Sequence, residues 1–361
     1  MGKRVINMFI PIFCIVLLSS SGESRILDEL TLVNSIGFDI SESGDKIIGV
    51  ICNPIFQKDA PPKNNVLSAK AELKKSILQV IQEKSANPIA TGSLEILLFG
   101  KELTKQKGIL DLIDPFTRDP RIGTAMRMAI VDGNVREFME GNYGVRGNAF
   151  FIKWTIDTAV NHGNLPKTNF HRFLVDFHSR GKSPYVPIIK KERENKIKII
   201  GVGFIRFGKL VHQISMEEAF FFKLLTDKYS RGWHDVEIDG YKASIQNINT
   251  KRKFELTKSS PPYEVTVKIH LKGVINEYTG IMINNKALGK LETKFEEEIK
   301  KRSLELINVF KEKDIDPIGF GRFIKSEDRK FNYQKWRDDY YKNLTVKVDV
   351  HVDIDEVGIV E

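Results

Sequence analysis

Two stretches near the carboxyl terminus alternate strictly between apolar and polar residues, the pattern of a strand with one buried face. Val265, Val267, Ile269 and Leu271 take every second position of the first, and Val346, Val348, Val350, Val352 and Ile354 of the second. Between them Leu288, Leu291, Phe295, Ile299, Leu306 and Phe310 form one stripe along a long helix whose opposite face is Lys and Glu, and Asp316-Pro317 should stop it. A one-faced sheet must cover its apolar side, and a helix with a single stripe is the cover at hand. This half of the chain is therefore expected to be α+β, a largely antiparallel sheet covered by long helices.

Upstream, shorter strands and helices alternate. Leu30 to Ile40 and Lys46 to Ile55 predict two strands joined at Ser41-Glu42-Ser43-Gly44-Asp45. Pro61-Pro62 breaks the pattern, and Ala69, Leu73, Ile77, Val80 and Ile81 predict a helix over about Ser68 to Lys84. Leu94 to Phe99 reads as a buried strand, Leu103 to Ile113 as a helix ended by Asp114-Pro115, Thr124 to Val131 as a strand and Asn169 to His178 as a helix. The 361 residues suffice for two to three domains, and the charged run Lys190 to Lys196 is the expected main boundary. That gives successive mixed domains over 22–195, possibly in two lobes, and 196–361. The second opens with Ile197 to Phe207, a turn at Gly208-Lys209 and Leu210 to Ile214; Ser215-Met216-Glu217-Glu218 then has the spacing of a capping box that starts a helix.

Lys3 and Arg4 precede a mostly apolar run from Val5 to Leu18, followed by Ser19, Ser20, Ser21 and Gly22, the order of an export signal. Fourteen residues are short for a spanning helix, and no other apolar stretch approaches 18. Residues 1–21 are expected to be a signal or anchor segment and the remainder to lie outside the bilayer. Leu18-Ser19-Ser20 would suit the residues before a lipoprotein cysteine, but Ser21 has no thiol to carry the lipid; myristoylation at Gly2 is disfavoured by Ile6. The net charge of +9 arises from 56 basic and 47 acidic residues that are interleaved, which suits an anionic membrane surface better than nucleic acid. Cys14 and Cys52 cannot form a disulfide framework.

Chemistry-bearing constellations fail one by one. No two of the seven histidines have the helical spacing of metal ligands; Asp349, His351 and Asp353 share one face of the last strand, which reads as its solvated side. The run Gly203 to Leu210 approaches a phosphate-binding loop, yet Leu210 lacks the magnesium-binding hydroxyl and Phe204, Ile205 and Phe207 suit a strand. Gly201-Val202-Gly203 has Arg206 where a dinucleotide fingerprint needs its third glycine, and no Gly-x-Ser-x-Gly elbow occurs. Phe220-Phe221-Phe222 is expected in the core and Cys52 as a buried free thiol. The residues thus describe an exported binding or assembly protein with no catalytic, cofactor or metal residues, and no enzyme.

Four stretches together resemble the Ger(x)C family, the C subunits of germinant receptors in endospore-forming bacteria. They are Arg25-Ile26-Leu27-Asp28-Glu29-Leu30 leading to Val33-Asn34-Ser35-Ile36-Gly37-Phe38-Asp39; Leu98-Phe99-Gly100-Lys101-Glu102-Leu103 with Phe116-Thr117-Arg118-Asp119-Pro120-Arg121-Ile122; Gly201 to Val211; and Asn276-Glu277-Tyr278, the long helix, Asp316-Pro317-Ile318-Gly319-Phe320-Gly321, Trp336 and the closing valine strand. The resemblance implies successive α+β domains in a non-enzymatic, lipid-anchored subunit on the outer face of the spore inner membrane, beside membrane-embedded A and B subunits. The family's anchor cysteine falls at Ser21, so lipidation does not carry over. An exported protein that captures a small germinant, and an envelope hydrolase, are the alternative expectations. Gly319 and Gly321 are expected to serve the backbone of the turn after the long helix.

Overall fold

A computed structural model describes residues 30–355 apart from 58–59, 72–76, 120–121, 124, 194–195 and 281–282. The amino-terminal segment with Ser21 lies outside the described residues. Fourteen strands are described: β1 (Thr31–Leu32), β2 (Ser35–Ile40), β3 (Ile47–Gln57), β4 (Ala60–Ala71), β5 (Ile89–Ala90), β6 (Ile96–Gly100), β7 (Arg127–Val131), β8 (Tyr185–Lys191), β9 (Ile197–Arg206), β10 (Lys209–Ser215), β11 (Tyr229–Ile238), β12 (Tyr241–Lys258), β13 (Glu264–Tyr278) and β14 (Thr345–Asp355). The helices that matter below are α1 (Ile77–Gln82), α2 (Lys101–Gln106), α3 (Leu110–Thr117), α4 (Val135–Met139), α5 (Asn148–Asn161), α6 (Phe170–His178), α7 (Met216–Thr226), α8 (Asn285–Glu312) and α9 (Phe320–Glu327).

Eight strands make one sheet in the order β10-β9-β8-β7-β6-β2-β3-β4. Its centre, β2-β6-β7-β8, is parallel, and its flanks are antiparallel. Parallel strands need helical crossovers, which cover both faces. All five residues of β6 are accordingly buried. Leu97 and Phe99 join a core with Ile77 and Ile81 of α1, Leu103 of α2, Leu112 of α3 and Phe170 and Phe173 of α6. Ile96 and Leu98 point the other way, into a core with Phe138 of α4 and Ile152 and Ile156 of α5.

That second core runs on without a break into the carboxyl-terminal sheet, ordered β11-β12-β13-β14. The first two pairings are antiparallel, and β13 with β14 is parallel. A parallel pair requires a long crossover, and α8 is its longest helix, laying Leu291, Phe295, Ile299, Leu306, Ile307 and Phe310 on the sheet. This is the α+β arrangement that the alternating valines and the helical stripe require.

Three local expectations are corrected. The helix expected over Ser68–Lys84 is a strand at its start: β4 extends to Ala71, with Ser68 opposite Val50 and Leu67 opposite Ile51, and the described helix is confined to Ile77–Gln82. Leu73 lies outside the described residues. Pro61-Pro62 does not interrupt the strand because β4 is the sheet edge and its register against β3 shifts between Ile55 and Gln57, which leaves neither proline in a paired position. The helix expected over Leu103–Ile113 is two, parted at Gly108, whose φ of +77° is left-handed, and Pro115 sits inside the second. Apart from these, the charged run Lys190–Lys196 links β8 to β9, which pair as Lys191 with Ile197 within the eight-stranded sheet. The capping box is formed as expected: Ser215 Oγ accepts the Glu218 amide at 3.2 Å, and Glu218 accepts the Ser215 amide at 2.9 Å.

Candidate functional site

The two sheets meet at a joint built from the loop after α6 and the turn before α9. Gly181 and Gly321 cross so closely that a Cβ on Gly181, whose φ is +87°, would stand 2.6 Å from the Gly321 carbonyl carbon; one on Gly321 would stand 2.9 Å from Gly181 Cα. Only glycine fits on both sides of such a backbone contact. The Arg322 amide donates to Gly181 O at 2.9 Å, and Ser183 exchanges hydrogen bonds with Asp316 at 2.8 and 3.0 Å. Gly319 is also left-handed, at φ +89°, which bears out the backbone role expected for this pair.

Asp316 organises the turn. Its buried carboxylate accepts the amides of Gly319 at 2.7 Å, Phe320 at 3.0 Å and Gly321 at 2.8 Å. These are the otherwise orphaned donors at the start of α9. Burial pushes this carboxyl up to about 6, against the pull of the three amides. Beside it the buried Lys182 ammonium meets Asp176 at 3.0 Å, and Arg322 meets the same carboxylate at 3.1 Å. Burial draws the Lys182 ammonium below its usual range. Arg206 and Asp314 form a further ion pair across the joint.

On another side of the joint the sheets leave a cleft of about 990 Å³ between the end of α5, the start of β9, the start of α7 and β11. Trp154 and Trp233 stand on its rim, 61% and 53% exposed. Its floor is fixed. The Asn164 side chain pairs with both backbone groups of Trp233 at 3.0 Å, and Lys223 Nζ donates to Val160 O and Gly163 O at 2.7 Å each. Burial pulls Lys223 down to about 8. His234 is buried against Phe220, Phe221 and Phe295, with Nε2 3.1 Å from Glu298 Oε1. Two exposed indoles over a rigid, mostly apolar trough suit recognition of an apolar group or a partner surface. Neither Trp stood out in the sequence. The available signal was phase: β11 buries Ser230, Gly232, His234, Val236 and Ile238, which turns Trp233 outward.

The other sequence candidates fall elsewhere. Gly201 to Leu210 is the β9–β10 hairpin, whose turn residues Phe207 and Gly208 both have positive φ, and Phe204 and Ile205 are fully buried. Phe220, Phe221 and Phe222 are core residues. Cys52 is a buried free thiol that burial pushes up to about 12. Asp349 lies opposite Lys268, while His351 and Asp353 share the outer face of β14 with His270 of β13. No helix among the described residues is long and apolar enough to cross a membrane.

A parallel-centred sheet joined at a glycine-backed turn to a helix-covered, largely antiparallel sheet defines a two-part α+β protein that carries an aromatic-rimmed cleft. Residues 23–191 match the model for the spore germination protein N-terminal domain, and residues 200–358 that for the spore germination B3/GerAC-like C-terminal domain. The chain belongs to this Ger(x)C family. It is 28% identical over 367 residues to spore germination protein GerQC of Bacillus cereus, covering 100% of both chains. With spore germination protein B3 of Bacillus subtilis (strain 168) it shares 22% over 303 residues, 79% of this chain and 80% of that one. The crystal structure of the GerBC protein superposes with a TM-score of 0.59 at 16% identity, covering 88% of this chain and 96% of that one, and so shares the fold.

Proposed function

We propose that the chain is a non-enzymatic, extracytoplasmic subunit of a spore germinant receptor, needed for nutrient-triggered germination and acting through protein contacts at the outer face of the spore inner membrane. The observation that carries this is the pair of family matches, which occur in order and together span nearly all of the chain. Its partners are membrane-embedded A and B subunits, and the aromatic-rimmed cleft is the surface offered to them. With Ser21 at the family's anchor position, the alternatives to lipidation are an uncleaved amino-terminal segment and a released soluble protein. Deleting the gene, with any paralogue also removed, should abolish or delay germination on at least one nutrient while sporulation proceeds. Normal germination on every nutrient that the parent strain answers would refute the proposal.

The cleft also favours a second reading, direct capture of a small germinant, because its volume lies at the upper end of the range of ligand pockets, about 300–1,000 Å³. Calorimetry of the purified chain against amino acids and nucleosides separates the two. Saturable heat that is lost in Trp233→Ala supports capture, and no heat supports a scaffold.

A further inference from the structure

We propose that His270, His351 and Asp353 form a binding site for one divalent transition-metal ion of the zinc type, which ties the edge strand β14 to β13. In the parallel register His270 lies directly opposite His351, and Asp353 follows two residues later on the same face. His270 Nε2 is 2.6 Å from Asp353 Oδ2, and His351 Nε2 is 3.1 Å from Asp353 Oδ1. One donor atom from each residue lies within 4.8 Å of the others. Ligands held about 2.0–2.2 Å from a tetrahedral zinc are about 3.4 Å apart, so small side-chain rotations bring the three donors onto one ion. Two imidazoles and a carboxylate are the N/O set that zinc accepts, and the half-exposed position leaves the fourth site to water.

The surroundings have the form of a supporting shell. Glu296 of α8 accepts the Val352 amide at 2.9 Å, which fixes it, and its Oε1 lies 3.4 Å from His351 Nδ1. A carboxylate on the far nitrogen holds a metal-binding histidine in one tautomer and aims the other nitrogen at the ion. In the same register Lys272 lies opposite Asp353 and Lys268 opposite Asp349, and the Lys268 ammonium is paired with Glu255 at 2.8 Å. The ion would bind as a closed-shell Lewis acid, losing water and any imidazole protons to solvent with no change of oxidation state. The site escaped sequence reasoning because His270 reaches it across a strand pair rather than along a helix.

The test is zinc titration of the purified chain by calorimetry, with cobalt(II) absorption as a second readout. One ion per chain is expected, together with a visible cobalt band of low-coordinate form and a rise in melting temperature with zinc. His270→Ala and His351→Ala should each weaken binding by at least a hundredfold, and Glu296→Gln by about tenfold. No saturable zinc binding by the wild-type chain, or wild-type affinity in both histidine variants, would overturn the proposal. All four side chains face outward or lie at the rim, so circular dichroism of the variants should match wild type. Were a variant unfolded, the zinc-dependent melting of the wild-type chain would still decide.

Discussion

Asp316→Ala should loosen the joint between the two sheets by an amount that can be worked from its hydrogen bonds. The substitution strips three buried amides, those of Gly319, Phe320 and Gly321, of their acceptor. A buried donor left alone costs about 1–3 kcal/mol, so three cost about 6 kcal/mol at mid-range. Against this stands the relief of a buried charge. The carboxyl rises from the usual 3.8 to about 6 in the folded protein, which corresponds to about 3 kcal/mol. The net loss at pH 7 is then about 3 kcal/mol, a large part of a stability of about 5–15 kcal/mol. The same carboxyl fixes a pH dependence. Between the unfolded and folded values the native state binds more protons, so its contribution is fully present below pH 4 and is lost as pH rises through 6. Asp316→Asn cannot ionise and should lack that fall: relative to it, wild type should lose about 2 kcal/mol between pH 4 and pH 7. Urea unfolding followed by tryptophan fluorescence suits the measurement, since Trp336 is buried against Gly321. An alanine variant within about 1 kcal/mol of wild type, or a flat wild-type-minus-Asn difference across that pH range, would refute the reasoning.

Further outcomes follow from the same geometry. Gly181→Ala should destabilise by more than about 2 kcal/mol, because it combines a left-handed φ with a Cβ inside the Gly321 backbone, whereas the open Gly240→Ala should cost only its own left-handed strain, about 1 kcal/mol; denaturant midpoints compare them. Lys223→Met leaves the Val160 and Gly163 carbonyls without their donor and should cost about 2–4 kcal/mol at pH 7. Because the folded Lys223 is drawn down to about 8, wild type should gain stability relative to that variant as pH rises from 8 towards 10, and a constant difference would count against the assignment. Trp154→Ala and Trp233→Ala should change stability by no more than about 0.5 kcal/mol, since both side chains are largely exposed, yet slow nutrient germination; normal germination in the double variant would remove the cleft from the account.

What the sequence made legible was whatever depends on short-range period or capping. The β14 valines, the α8 stripe and the Ser215 box each carry their own geometry and reappear in the fold where they were expected. Ala69, Ile77 and Ile81 misled because one helical spacing happened to span the end of β4 and the start of α1, two elements that bury residues into the same core. Pro61-Pro62 reads as a breaker only if the strand is interior, and edge position is a property of the whole sheet. The joint was half visible: the Asp316 to Gly321 turn stood out, but its partner Gly181 sits far away in sequence and is recognised only when the two backbones touch. Trp154, Trp233 and His270 were missed for the same reason, since what they face is decided by packing between distant elements.

The most direct test of the central claim is to purify the tagged chain from detergent-solubilised spore inner membranes and identify what comes with it by mass spectrometry. The account predicts an A-type and a polytopic B-type receptor subunit in near-equal amount, both reduced when Trp154 and Trp233 are replaced by alanine. Recovery of the chain by itself, or from the cytosolic fraction of the spore, would contradict it.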